Sequence, residues 1–453
     1  TDTVLHLQLP DGEGTFDILY PTLSYSDNGD GTVSMDMEGP QTYKFVLSGP
    51  DMETQTISAD VVFTYDNAEL IASGTPDDIT FAYAMDGFAF AVQNLNLSAV
   101  EANDSVEFTL TGTGSALKGT SHLSQGDLIT LAGESNFSGF GYSFQGRDVN
   151  GAVSSTNATY GEMVTKSAIT LPTGGMSTMN LAAALHDGLS IEATGSYGSS
   201  ETRTTVLVDG EQVSSQAMTA GSSTSDLSAN ADAIKLTANG SEIGMDAIIN
   251  VGMPLSLHLD VDQMAMDFGM PVSASDEPQD FTMALGFNGL ELGNDIWAMF
   301  DPTETLPRDP AALSVDLTGQ ATLLQDLMNF AEMSELAEGN LPIELNTLTI
   351  KNFLISAVGA SLSGTGDFAF NNNDLVSFDG MPAPSGTADL KITGANGLID
   401  KLIEMGFVQE SDAMGARMMM GMFAVPGEGE DSIKSNLEIT KDGKILANGQ
   451  RIK

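Results

Sequence analysis

Apolar and polar residues alternate with a period of two along most of the first 270 residues. That period fits a half-buried β-strand and not an amphipathic helix, whose apolar residues recur every three or four positions. Val106-Glu107-Phe108-Thr109-Leu110-Thr111 and Thr204-Thr205-Val206-Leu207-Val208 show it cleanly. Turn signals recur about every ten residues, as in an antiparallel all-β chain. Asp209-Gly210 predicts a tight turn after Val208. Asp86-Gly87 predicts a hairpin between Phe81-Ala82-Tyr83-Ala84-Met85 and Phe88-Ala89-Phe90-Ala91-Val92. Asp27-Asn28-Gly29-Asp30-Gly31 predicts a turn joining Leu23-Ser24-Tyr25 to Val33-Ser34-Met35.

One stretch changes phase. Leu255, Leu257, Leu259 and Val261 share one parity, whereas Met264, Met266, Phe268 and Met270 share the other. The switch predicts a β-bulge, or a break into two strands, between Val261 and Met264.

The polar, proline-bracketed segment Pro271–Pro278 separates an N-terminal antiparallel β region, 1–275, from a C-terminal region of strand–Gly–helix units, 276–453. The two are also compatible with one continuous domain. In the second region Phe281–Leu285 precedes a short helix over Asp295–Phe300. Thr318-Gly319 and Thr393-Gly394 align at one offset (393 − 318 = 75), each followed by a helical pattern: Leu323, Leu324 and Leu327 match Leu398, Ile399 and Leu402. A further helix is predicted over Ser411–Ala424, capped by Ser411 and ended by Pro426. The predicted fold class is therefore mostly β: a long curved antiparallel sheet, or an open barrel or groove, with three or four short helices in the C-terminal third.

Charge narrows the partners. The 16 Lys and Arg oppose 62 Asp and Glu, a formal net charge of 16 − 62 = −46. Nucleic acid and anionic membrane surfaces need cations and are excluded. The acids fall at turns and at alternate strand positions, where they coat one face and discourage edge-to-edge association. A chain 41% hydrophobic and 17% charged folds nonetheless. No apolar run is long enough for a transmembrane helix. The beginning Thr1-Asp2-Thr3, without Met, agrees with a removed signal peptide; with the Ser/Thr/Gly-rich strands it predicts an exported bacterial protein.

Catalytic and metal motifs are missing. The absence of cysteine excludes disulfides, thiolate metal sites and cysteine nucleophiles. His6, His122, His186 and His258 lie far apart and read as surface histidines. There is no Gly-x-Ser-x-Gly elbow and no phosphate loop. One Trp and eight Tyr offer few stacking platforms for sugars. Asp27 to Glu38 has the length of an EF-hand loop, but Gly29, Gly31 and Thr32 occupy ligand and turn positions, so a hairpin turn is the better reading. No catalytic residue, metal site or cofactor is expected.

The 24 methionines remain. Met lines surfaces that accept varied apolar ligands, and it also fills irregular cores. Met264, Met266, Phe268 and Met270, with Met414, Met418 and Met422, are the candidate residues for a hydrophobic-ligand groove; core filling between helix and sheet is the alternative.

The C-terminal third resembles a known family. The segments that carry the likeness are Ile296-Trp297-Ala298-Met299-Phe300-Asp301-Pro302, Leu306-Pro307-Arg308-Asp309-Pro310, Gly394-Ala395-Asn396-Gly397-Leu398-Ile399-Asp400-Lys401-Leu402, Gly415-Ala416-Arg417-Met418-Met419 and Leu446-Ala447-Asn448-Gly449-Gln450-Arg451-Ile452. They look like the DUF2125 family of alphaproteobacteria of the Rhodobacter and Roseobacter type. The resemblance implies an exported, periplasmic protein without known catalytic residues. It also implies a distant likeness to YdgA-like and AsmA-like envelope proteins, whose long β-sheets form apolar grooves for lipids. The expected function is non-catalytic binding of a lipid or other apolar ligand. The alternative is a structural or protein-interaction module of the cell envelope with a filled core.

Overall fold

The computed structural model describes residues 3–8, 15–20, 24–36, 40–48, 56–97, 107–148, 150–174, 177, 179–250, 252, 254–334, 342–378 and 380–452. Leu23, Glu38 and Val106 lie outside the described residues. The fold is mostly β, 66% strand and 10% helix, and the strand pairings among the described residues are antiparallel, as the alternation predicts. In chain order the first strands are β1 (Thr3–Gln8), β2 (Thr15–Tyr20), β3 (Ser24–Asp27), β4 (Thr32–Asp36), β5 (Gln41–Ser48), β6 (Thr56–Asp66), β7 (Glu69–Thr75), β8 (Asp78–Leu97), β9 (Glu107–Gln125), β10 (Leu128–Phe137), β11 (Gly139–Arg147), β12 (Val153–Tyr160) and β13 (Met163–Pro172). After α1 (Leu181–His186) come β14 (Ser190–Tyr197), β15 (Ser200–Val208), β16 (Glu211–Ala220), β17 (Ser223–Ala229), β18 (Ala233–Ile249), β19 (Leu255–Pro271) and β20 (Gln279–Leu292). Then follow α2 (Asn294–Phe300), β21 (Ala311–Leu323), α3 (Phe330–Met333), β22 (Ile343–Ala357), β23 (Ala360–Asn371), β24 (Ala383–Thr393), α4 (Ala395–Glu404), α5 (Glu410–Phe423), β25 (Val425–Pro426), β26 (Ser432–Ile439), β27 (Ile445–Ala447) and β28 (Gln450–Arg451).

The chain forms two compact units. The first comprises Thr1–Thr178, Ser190–Thr224 and Gly244–Ser256; the second comprises Met179–Leu189, Ser225–Ile243 and Leu257–Lys453.

In the first unit β8 runs through Asp86-Gly87 without turning, contrary to the hairpin expected there. Residues 78–84 pair with β7, residues 87–97 pair with β6, and β9 flanks the strand on its other side. Gly87 sits where β8 changes partner. A Cβ there would lie 3.3 Å from both Asp66 Oδ2 and Gly114 O, so the glycine serves close backbone approach and not a turn. Asp209 (φ 52°) and Gly210 (φ 81°) do form the predicted turn between β15 and β16. The Asp27–Gly31 segment likewise joins β3 to β4. Asp27 Oδ1 accepts from Gly29 N at 2.8 Å, and Asp30 Oδ1 accepts from the Thr32 hydroxyl at 2.7 Å. The Thr32 hydroxyl and amide hold the Asp30 carboxyl below its usual pKa. These carboxylates therefore brace a turn.

Aromatic rings cover part of the same unit. Phe88 and Phe90 stand in register opposite Gly114 and Gly112. A Cβ on either glycine would meet the facing ring at 2.2 Å, so the rings lie directly on the β9 backbone. Phe140 stacks on both rings at centroid distances of 6.4 and 6.3 Å.

The second unit is a meander, β19–β20–β21–β22–β23–β24–β26–β27, each strand pairing with the next. β19 is one strand and not two. Its ladder with β20 skips Val261 and Asp262 and resumes at Gln263, beside Gly289 (φ 71°) of β20. The phase switch seen in the sequence thus falls on a gap of two residues in each strand that leaves the register unchanged, and not on a bulge that adds a residue to one strand. Pro271–Pro278 forms the connection from β19 to β20, pinned by Ser275 N to Leu323 O at 3.0 Å and Leu327 N to Val272 O at 2.9 Å.

The two Thr-Gly pairs part company. Gly394 has φ 73° and opens α4 after β24. Gly319 lies inside β21, where a Cβ would strike Thr347 O at 2.1 Å, and the strand continues to Leu323. The helix expected to begin near Leu323 does not form, and α3 begins only at Phe330. The helix predicted over Ser411–Ala424 is α5, but its N-cap is Gln409 and Ser411 falls within the first turn.

Candidate functional site: an apolar sheet face beneath a helix

The register of the meander sorts side chains onto two faces. Directly opposed residues share a face. One row runs Met266–Leu285–Val315–Phe353–Gly364–Leu390–Ser435. Its neighbours are Phe268–Met283–Leu317–Ile350–Gly366–Ala388–Leu437 and Met264–Phe287–Leu313–Ile355–Leu362–Ile392–Ile433. The intervening rows are polar: Asp316 opposes Asn352, and Thr365 opposes Asp389, which opposes Asn436. Direct hydrogen bonds knit the polar face, such as Asn436 Nδ2 to Asp389 Oδ1 at 2.9 Å and Asn352 Nδ2 to Ser314 Oγ at 2.8 Å.

The apolar face is only partly covered. Among the described residues fourteen apolar side chains are buried, and six of those are alanines. Met264, Phe268, Met283, Leu285 and Ile355 remain 36–48% exposed on this face. At the β24–β26 end, α5 borders it across a half-open cavity of about 400 Å³. Leu390, Ile392, Ile433 and Leu437 form the sheet side, with Met419, Met420, Phe423 and Ala424 on the helix side and Ile452 at the chain's end. Pockets that bury small ligands typically measure about 300–1,000 Å³ and are mostly apolar.

Two clusters fix α5. At its C-terminus the Phe423 carbonyl accepts from Ser435 Oγ at 2.5 Å and Asn448 Nδ2 at 3.0 Å, which satisfies an end carbonyl that the helix cannot. In the body of the helix, Arg417 Nη2 donates to Asp400 Oδ1 at 2.6 Å and Nε to Asn396 Oδ1 at 3.2 Å. Asp431 completes this cluster. It accepts from Asn396 N at 3.2 Å, Asn396 Nδ2 at 2.7 Å and Gly397 N at 2.9 Å, and so caps α4, whose own N-cap Gly394 has no side chain. Burial pushes the Asp431 carboxyl up, but these donors and Arg417 outweigh it and hold the pKa below the usual value.

The Trp297 segment is structural in the same way. Asp301 is completely buried, and its two oxygens accept from Thr305 N and Leu306 N, each at 2.9 Å. Burial opposes ionisation there, yet the two amides, Arg308 and Lys401 keep the carboxyl below its usual pKa. Arg308 lies 5.4 Å from the Trp297 ring centroid. Three histidines each meet an aspartate: His122 with Asp78 (2.9 Å), His186 with Asp326 (3.5 Å) and His258 with Asp260 (2.8 Å), all at the surface. Among the described residues no three His, Cys, Asp or Glu side chains gather as metal ligands would.

The seven candidate residues fall in two places. Met264, Met266 and Phe268 sit on the apolar face, on β19, with Met270 half-buried near the strand's end. Met414, Met418 and Met422 form a row on α5 that is 60–72% exposed. None of the seven lines the cavity. Its methionines are Met419 and Met420, which belong to the same Met414–Met422 run but not to the seven. The signal was present: Ala413, Met420, Phe423 and Ala424 recur at helical spacing, and Ala413 is almost completely buried.

The bacterial family described as "Uncharacterized protein conserved in bacteria (DUF2125)" matches residues 178–449, more than half of the chain. The chain belongs to this family. The DUF2125 span contains α2, α4, α5, the Asp301 loop and the Asp431 cluster. The resemblance noted in the sequence thus falls largely on residues that position helices against the sheet. Neither a curated protein nor a solved structure matches the chain. Among the described residues no helix is long and apolar enough to cross a membrane.

Proposed function

We propose that this DUF2125 protein is an exported, periplasmic, non-catalytic carrier that holds an apolar ligand, a lipid acyl chain, on the apolar face of its second unit. The observation that carries the reading is the apolar cavity between α5 and the β24–β26 strands, on the same sheet face as half-exposed Met, Leu, Ile and Phe of β19, β20 and β22. A sheet face of this composition needs a cover, a partner or a ligand. Flexible Met419 and Met420 suit ligands of varied shape. The alphaproteobacterial origin and the kinship with AsmA-like lipid-handling proteins belong to the same proposal. To test it, purified protein is extracted with organic solvent and the extract analysed by mass spectrometry. A stoichiometric lipid is expected. Protein that stays empty after incubation with lipid, and binds no apolar fluorescent probe, overturns the proposal.

A second reading has its own observation. Met414, Met418 and Met422 present an apolar row to solvent on α5, which suits an interaction module of the cell envelope. Cross-linking from this row to one stoichiometric envelope protein, with no lipid recovered, favours that reading.

A further inference from the structure

On the polar face of the second unit, Lys391 of β24 and Lys434 of β26 stand directly opposite each other. Elsewhere the chain does the reverse. Lys44 stands in register opposite Asp60, and Lys166 opposite Glu134, each forming an ion pair, at 3.7 and 3.3 Å. Like charges directly opposed on a sheet are destabilising. With 62 acidic residues available, this pair nonetheless has no carboxylate ion pair among the described residues. Asp389 is the nearby acid of the face, and it already accepts from Asn436 Nδ2 at 2.9 Å.

The two lysines border the depression of about 520 Å³ that lies over β23, β24 and β26. Its other polar contributors include Asn352, Ser363 and Thr365, which add amide and hydroxyl donors. Two ammonium groups and one carboxylate leave a local surplus of one positive charge within a strongly acidic chain. We propose that this depression is a binding site for a small oxyanion, the phosphate or carboxylate group of a solute, clamped between Lys391 and Lys434. The site lies on the face opposite the apolar cavity and does not depend on the lipid reading.

The probes are inorganic phosphate and acetate, titrated by calorimetry into the full chain at low, matched ionic strength. The expected result is saturable binding of at least one of them, which also assigns the oxyanion class. Lys391→Gln and Lys434→Gln each weaken it by about tenfold or more, the size of one lost charge-assisted hydrogen bond. Lys118→Gln, which removes a charge from the first unit, leaves it unchanged. The anion raises the thermal midpoint of the wild type but not of the double variant, whose fold is checked by circular dichroism. Absence of saturable binding overturns the proposal, as does an equal loss in Lys118→Gln, which marks a response to overall charge.

Discussion

Asp431 makes the sharpest test of how the helices are held over the sheet. It caps α4 from outside the helix, meets Asn396 twice, and through Asn396 steadies Arg417 of α5. It also sits at φ 49°, a left-handed conformation. Three substitutions separate these roles. Asp431→Gly keeps the backbone at ease and removes the acceptor. Bonds to a charged acceptor contribute about 1.5–3 kcal/mol each, but they are not additive and water recovers part at a half-exposed site, so the expected loss is about 2 kcal/mol. Asp431→Ala also removes the acceptor, keeps a Cβ in the left-handed conformation and lacks the short polar side chain that lets Asp tolerate it, about 1 kcal/mol worse than Gly. Asp431→Asn keeps one carbonyl oxygen and tolerates the conformation, so it loses about 1 kcal/mol. Urea unfolding followed by Trp297 emission reads the second unit alone, because Trp297 is the single tryptophan and is buried there. The pH dependence has a definite sign. The folded carboxyl has a pKa below 3.8, so its contribution is complete above that value and is lost as pH falls through the lower, folded value. The gap between wild type and Asp431→Asn should be full at neutral pH and shrink below the usual carboxylate range. An Asp431→Gly variant as stable as wild type, or a gap indifferent to pH, refutes the capping role.

Three further outcomes follow. Met420→Trp fills the α5 cavity; it should weaken binding of a naphthylamine fluorescent probe by about tenfold while changing stability by only about 1–2 kcal/mol, measured by titration and urea unfolding. Gly114→Ala drives a methyl group into the Phe88 ring, and overpacking of this kind costs about 1–3 kcal/mol, read by thermal unfolding together with loss of near-ultraviolet aromatic dichroism. The Asp442 carboxyl, lowered to about 2 by Lys444 and Thr440, should titrate there by NMR and move up toward 3.8 in Lys444→Gln.

Strand content was legible because alternation is a local property that any pleated segment must show. Turns were less so. Asp209-Gly210 and Asp86-Gly87 are the same dipeptide, yet only the first turns the chain, because Gly87 is held between β6 and β9. Thr318-Gly319 and Thr393-Gly394 diverge for a similar reason: Gly319 lies between Phe281 and Leu348 in the ladder, whereas Gly394 adopts φ 73°. What decides each case is a strand distant in sequence. The same limit hid the cavity. Methionines occupy both sides of α5, so composition could not say which row meets the sheet; Ala413 and the Arg417 bridge to Asp400 set that rotation.

β22 keeps the apolar face continuous across two irregularities of its own. Six of its large apolar residues, Ile343, Leu345, Leu348, Ile350, Phe353 and Ile355, follow spacings of two, three, two, three and two, while Leu354 stands on the other face between Ser314 and Ser363. In a regular strand each spacing of three would throw the following side chains to the opposite face. The register shifts by one residue at each of those two places: Asn346 is skipped between Gln320 and Ala321, and Lys351 between Asp316 and Leu317. Both extra residues are polar, and each bulge restores the phase that the sequence had shifted. The six apolar side chains therefore stay in line with Val315 and Leu317 on one side and with Leu362 on the other. Deleting Lys351 removes the extra residue together with the spacing of three and should leave Phe353 and Ile355 in line, whereas deleting the regularly paired Thr349 should turn Ile350 to the polar face, with Lys351 in its place, or force the ladder to slip. Either outcome of the Thr349 deletion would break the apolar face in mid-sheet while leaving the α5 cavity residues untouched, so probe binding in that variant separates a ligand confined to the cavity from one that also lies along the sheet.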